Sequence, residues 1–150
     1  TRRFFLGARE FDVLDTDGSR LVHLSDVRDF WRDTYEIVRG DGSMLATVAR
    51  KMAFFSRRFS IALSTGEEFM VEGNFFDREF NVVNTNGGGA VAQVSRERAG
   101  FAKAFLGHDR YALYYPAGTS PDQRLAILGG MIALDLMRSK DASSAASNSS

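Results

Sequence analysis

The sequence has no cysteine, only two prolines and no formal net charge. Without cysteine the chain forms no disulfide, no thiolate metal site and no thiol nucleophile, and palmitoylation is excluded as a membrane anchor. Basic and acidic residues balance at 19 each, so the basic excess typical of a duplex-DNA binder is missing. The apolar runs are shorter than the roughly 20 residues of a transmembrane helix. These absences favour a cytoplasmic protein with one ordinary hydrophobic core.

One pattern occurs five times along the chain: an aromatic residue, any residue, an aliphatic residue, and a glycine seven positions after the aromatic. The alternation is typical of one face of a β-strand, and the glycine is typical of the turn that follows. Self-similar units of about 20 to 30 residues indicate stacked hairpins. The aromatic residues and their glycines are Phe11 and Gly18, Tyr35 and Gly42, Phe59 and Gly66, Phe80 and Gly87, and Tyr111 and Gly118.

The first four repeats each predict a β-hairpin, and the fifth predicts a single strand that leads into a different element. Alternating apolar residues on both sides of a glycine-containing turn are a strong hairpin signal. The predicted strands are Phe11–Leu14, Arg20–Leu24, Tyr35–Val38, Met44–Ala49, Phe59–Leu63, Phe69–Glu72, Phe80–Val83, Ala90–Ser95 and Tyr111–Tyr115.

The segment from Ser120 to Arg138 predicts a helix. Ser120 and Gln123 form a capping box, and the residues that follow are apolar on every side except at Asp135. Because the segment is too short to span a membrane, we expect it to be buried. Asp135 then needs a partner, which we expect to be a backbone N–H group or an arginine.

Two adjacent glycines, Gly129 and Gly130, lie inside this helical segment. Each costs roughly 1 kcal/mol in a helix interior, so we expect a neighbouring backbone or bulky side chain to come very close there. The economical fold is all-β with one buried helix, in which antiparallel strands form a closed barrel around the helix. We assign this domain to residues 1–139 and expect a disordered tail at 140–150, where small polar residues and alanine dominate.

The order and spacing of several segments resemble the LURP-one-related domain, a branch of the tubby C-terminal-like superfamily that also contains phospholipid scramblases. The resemblance covers roughly residues 3 to 139. It implies a closed barrel of about 10–12 strands around a central C-terminal hydrophobic helix. The segments that carry it are Tyr35–Ile37, Leu45–Lys51, Phe69–Phe76, Phe80–Val83, Ala90–Arg96, Asp109–Tyr111 and Leu125–Met137.

The resemblance implies a non-enzymatic binding module that associates peripherally with anionic phospholipids or phosphoinositides. The alternative is a structural or protein-interaction domain, linked to stress or defence, with no lipid role. Scramblase-like lipid transport ranks last, because no spanning segment or calcium site is visible. A lipocalin-like carrier is disfavoured because the helix should occupy the cavity that a ligand needs.

The candidate lipid-phosphate site consists of four basic residues around the Phe54–Phe55 connector: Arg50, Lys51, Arg57 and Arg58. Basic side chains beside exposed aromatic rings can hold a lipid phosphate while the rings enter the membrane interface. The competing interpretation is a solvated connector whose phenylalanines cap the barrel. A second set of the same character comprises Arg96, Arg98 and Lys103 near Phe101 and Phe105.

No pattern in the sequence predicts a catalytic, cofactor or metal site. Asp15 and Asp17 resemble the start of a calcium loop, but with Gly18 at loop position six the first ligand position would be Val13. The triple glycine at 87–89 lacks the Lys-Ser/Thr of a phosphate-binding loop. The two histidines, at 23 and 108, have no neighbouring nucleophile in the sequence, so we expect no enzymatic activity.

Overall fold

The computed structural model describes residues 10–29, 32–53, 56–72, 79–97 and 110–147. These residues form nine β-strands and one C-terminal helix. The elements are β1 (Glu10–Leu14), β2 (Arg20–Asp29), β3 (Arg32–Arg39), β4 (Met44–Ala53), β5 (Ser56–Leu63), β6 (Glu68–Glu72), β7 (Glu79–Asn84), β8 (Ala90–Glu97), β9 (Arg110–Tyr114) and α1 (Pro121–Ser147).

Each strand pairs antiparallel with the next strand in the chain, giving one sheet in the order β1 to β9. Five turns at one rim of the sheet connect β1 to β2, β3 to β4, β5 to β6, β7 to β8, and β9 to α1. In the described residues every positive backbone φ belongs to a glycine, and these are the five glycines of the sequence repeat, with φ between 85° and 99°. The repeat therefore marks the turns because only glycine adopts this conformation without steric cost.

The inner face of the sheet carries the aromatic and aliphatic residues of the repeat, which form one core with the helix. Tyr35, Ile37, Ile61 and Phe69 are at most 1% exposed. The helix packs mainly against β2 to β5. The predicted fold class is thus confirmed at the level of a mostly antiparallel β domain with one C-terminal helix in its core.

Closure of the barrel is not confirmed. In the described part of the chain, β1 and β9 are the two ends of the hydrogen-bonded order, and nine strands are present where about 10–12 were expected. The sheet becomes a closed barrel only when its two edge strands, β1 and β9, are joined by hydrogen bonds to each other or through further strands.

The glycine pair lies at the closest approach between helix and sheet, as predicted. A Cβ atom added to Gly129 would lie 2.8 Å from Cδ1 of Ile37, and one added to Gly130 would lie 2.9 Å from Cγ1 of Ile61. Carbon atoms prefer separations of about 3.5–4.0 Å. Because glycine has no side chain, the helix packs directly against the isoleucines of β3 and β5.

The helix is longer than predicted. It starts with the expected capping box. The backbone N–H of Gln123 donates to Ser120 Oγ at 3.2 Å, and the backbone N–H of Ser120 donates to Gln123 Oε1 at 2.9 Å. It continues past Arg138 to Ser147, so Lys140 and Asp141 lie in the helix and not in a disordered tail. Alanine favours helix in this segment, and ion pairs to the sheet hold its first residues.

Candidate functional site

The four candidate basic residues lie on β4 and β5, which form a hairpin. The register pairs Arg50 with Phe59, Lys51 with Arg58, and Met52 with Arg57. Successive strand residues alternate between the two faces of a sheet. The four residues therefore do not share one face, and the basic cluster of the sequence is divided by the pleat.

Arg50 lies on the inner face and is engaged in ion pairs. Its side chain is 12% exposed. The guanidinium donates to Asp141 through Nη1 at 3.3 Å and Nη2 at 3.0 Å. Nη1 also lies 3.4 Å from Asp33 Oδ2, and the guanidinium carbon lies 5.7 Å from the centre of the Phe59 ring. Arg50 is therefore not a free surface cation.

Arg58 lies on the other face of the hairpin and is exposed. The side chains of Lys51 and Arg57 and the whole of Phe54 and Phe55 lie outside the described residues. The backbone still places Lys51 directly opposite Arg58. Like charges directly opposite one another in an antiparallel pair are destabilising.

The second basic set falls where the structure gives no side chains. Arg96 belongs to β8, but its side chain is outside the described residues, as are Arg98, Phe101, Lys103 and Phe105 in full. Its suggested role stays a prediction from sequence.

A charged cluster at the C-terminal end of the helix was missed by sequence reasoning. Lys140 Nζ donates to Asp33 Oδ1 at 3.0 Å and lies 3.9 Å from Asp26 Oδ2. Together with Arg50 and Asp141 these residues join β2, β3 and β4 to the helix. One local signal was available: Asp26 continues the buried alternation of Val22 and Leu24, and a buried carboxylate requires a partner.

Asp135 has the partner that the sequence predicted and one more. Arg138 Nη2 donates to Asp135 Oδ1 at 3.1 Å, and the Tyr111 hydroxyl donates to the same oxygen at 2.9 Å. Tyr111 and Asp135 border a half-open cavity of about 270 Å³. Its other walls are apolar: Leu113, Leu128, Met131, Ile132 and Leu136.

The opposite end of the helix is held by a matching pair of polar contacts. Arg39 donates to Asp122 through Nε at 3.3 Å and Nη2 at 2.9 Å, and the Gln123 side chain donates to Glu67 at 2.9 Å. The hydrogen bond from Arg39 to Asp122 raises the pKa of the Arg39 guanidinium above its ordinary value. The helix is thus anchored by an arginine–aspartate fork at each rim of the sheet.

His23 pairs with Asp12 at 2.8 Å between Nδ1 and Oδ1 on the outer side of β1 and β2. The hydrogen bond from His23 lowers the pKa of the Asp12 carboxyl below 3.8. An exposed pair of this kind lacks the third converging group of a nucleophilic site. His108 lies outside the described residues. Among the residues that are described, no three His, Asp or Glu side chains come together as metal ligands.

In the described part of the chain no helix has both the length and the apolarity of a membrane span. No curated protein and no solved structure gives a significant match to the chain. The family model for LURP-one-related proteins matches residues 1–132. This match covers the nine described strands and the helix as far as Ile132, including the glycine pair. The chain therefore belongs to the LURP-one-related family.

Proposed function

We propose that this domain is a non-enzymatic binding module that associates peripherally with anionic phospholipids, including phosphoinositides. The contact is made by the end of the β4–β5 hairpin, with Lys51 and Arg58 as the basic residues. The observation that carries the proposal is the register of Lys51 opposite Arg58. A like-charge pair that costs folding stability is explained when an anionic surface neutralises it.

The proposal differs from the sequence prediction in the role of Arg50. Its guanidinium is engaged by two carboxylates on the inner face, so it does not belong to the exposed contact surface of the free protein. Phe54 and Phe55 lie between the two strands in the sequence. They are assigned to the membrane interface by composition alone, because basic and aromatic residues together favour that region.

We also propose that the sheet closes into a barrel around the helix. Phe11 and Val13 of β1, and Tyr111 and Leu113 of β9, all pack against the common core. Both ends of the strand order therefore pack against the same core. Amide hydrogen exchange tests this closure: protection of the β1 and β9 amides that point away from β2 and β8 supports it, and rapid exchange of these amides contradicts it.

Co-sedimentation with vesicles tests the lipid contact. We compare the wild type with the double variant K51A/R58A, using phosphatidylcholine vesicles with and without phosphatidylserine or a phosphoinositide. The wild type should sediment with the anionic vesicles, less so at higher salt because of screening. The variant should lose this binding. Each residue near the surface contributes about 1 kcal/mol, so the loss should approach thirtyfold.

A matched control separates a local surface from net charge. The double variant R20A/R124A removes the same number of positive charges at the turn rim, where both residues are exposed. It should retain binding. Equal loss in both double variants would show that net charge alone attracts the protein. No sedimentation of the wild type would leave the protein-interaction alternative.

A further inference from the structure

The guanidinium of Arg50 has the features of an anion-binding group that is already occupied. Asp141 accepts two parallel hydrogen bonds from it, the fork geometry by which arginine recognises carboxylates and phosphates alike. Its Nε is buried and has no hydrogen-bond partner among the described residues. The group can therefore bond one more acceptor oxygen than Asp141 and Asp33 supply.

The two carboxylates at Arg50 differ in how firmly they are held. Asp33 belongs to β3, within the sheet, and its side chain is 27% exposed. Asp141 belongs to the helix end, and its side chain is 38% exposed. Beyond Met137 the described helix contributes no buried apolar side chain, and residues 144–147 are exposed. Local opening of the helix end therefore costs little compared with opening of the core.

We propose that Asp141 is an internal competitor for anionic ligands. Its carboxylate occupies Arg50 in the free protein, and a phosphate group displaces it, which releases the helix end beyond Lys140, whereas Lys140 keeps its ion pair with Asp33. The inference rests on the proposed function, because contact with an anionic surface at the end of the β4–β5 hairpin brings phosphate close to Arg50, which lies on the inner face of the same strand end. It adds a regulatory contact: the C-terminal end of the helix sets the affinity of the hairpin for phosphate-bearing ligands.

The variant D141N tests this contact, and the molecule offers a matched control. Asp122 accepts the same type of fork from Arg39 at the other end of the helix. D122N therefore changes the net charge identically and frees an arginine in the same way, but far from the β4–β5 hairpin. Binding to phosphatidylcholine vesicles containing phosphatidylserine is measured for the wild type, D141N, D122N and R50M/D141N. Inorganic phosphate as a competitor distinguishes a free anion from a lipid headgroup.

D141N should bind anionic vesicles about fivefold more tightly than the wild type, the gain expected from one more basic residue at the surface. D122N should match the wild type, and R50M/D141N should lose the gain. Amide exchange in Asp141–Ser147 should also accelerate when the wild type binds vesicles. If millimolar inorganic phosphate suppresses vesicle binding, Arg50 binds the free anion. If phosphate does not suppress vesicle binding, Arg50 binds the lipid headgroup.

Two results overturn the inference in distinguishable ways. Binding by the wild type that D141N and D122N raise equally, or not at all, removes the internal competitor and leaves the proposed function intact. Absence of binding by all four proteins, each shown to be folded by its melting transition, removes both. Binding by D141N alone would support the competitor in its strongest form.

Discussion

Alanine at Gly130 tests whether close packing between helix and sheet is the reason for the glycine pair. In an isolated helix, glycine to alanine is stabilising by roughly 1 kcal/mol. Here the new Cβ would lie 2.9 Å from Cγ1 of Ile61 and would also contact its Cδ1. Both Gly130 and Ile61 are buried, so the Ile61 side chain cannot relieve the clash by moving into solvent.

The magnitude follows from two opposing terms. Overpacking of a filled core costs about 1–3 kcal/mol, and the gain in helix propensity offsets roughly 1 kcal/mol of that. G130A should therefore lower the free energy of unfolding by about 0–2 kcal/mol. I61V removes the Cδ1 methyl and costs about 0.5–1.5 kcal/mol by itself. In the double variant the new methyl fills part of the space that the valine leaves.

A double-mutant cycle measured by urea denaturation separates the two terms. The variant G130A/I61V should be more stable than the sum of the single effects predicts, by about 1 kcal/mol, a value typical of residues in contact. The control G130A/I37V pairs the same alanine with an isoleucine that contacts the other glycine. It should be additive within about 0.5 kcal/mol. Additivity in both pairs, or stabilisation by G130A alone, would refute the packing explanation.

Three further predictions concern the turn rim. G66A should destabilise the fold by about 1–2 kcal/mol, because Gly66 has φ +96° and a side chain there is strained. The control G89A, at an open site without positive φ, should have a smaller effect. Equal melting temperatures of the two variants would contradict this. S43A should raise the pKa of Asp41 toward 3.8, because the hydrogen bond from the Ser43 hydroxyl is the main cause of its lowering. The stabilisation of the fold by the Asp41 carboxylate is present above pH 3.8 and is lost as the pH falls through the pKa of Asp41 in the folded protein. An NMR titration that shows the same Asp41 pKa in both proteins would contradict this role of Ser43. S120A should cost about 1 kcal/mol through loss of the helix cap, and an unchanged urea midpoint would show that Gln123 alone caps the helix.

Local sequence information was sufficient for the turns, the start of the helix and the closeness of its glycine pair. Positive φ at Gly18 and its four counterparts follows from steric restriction of a single residue. The capping box acts within three residues. Gly129 and Gly130 interrupt an apolar helix, and only a close neighbour explains both together. Each of these inferences depends on residues that are adjacent in the chain, so the sequence contains the whole cause.

The helix end illustrates where local information fails. Composition alone indicated disorder after residue 139, because small polar residues bury little apolar surface. The structure continues the helix, since Lys140 reaches Asp33 and Asp141 reaches Arg50 across separations of 107 and 91 residues. Such contacts depend on which rim of the sheet the helix end reaches, and that is decided by the packing of the whole domain.

The amino-acid sequence by itself determined the family, the four hairpins with glycine turns and the presence of an apolar helix in the core, because periodicity and turn chemistry are local properties. Only the tertiary structure decided on which face of the sheet each residue of the basic cluster lies. Arg50 and Lys51 are neighbours in the chain, but the pleat and the register turn Arg50 inward to Phe59 and pair Lys51 with Arg58. Which face of a strand becomes the interior is fixed by its partners across the sheet, and no run of basic residues reveals it.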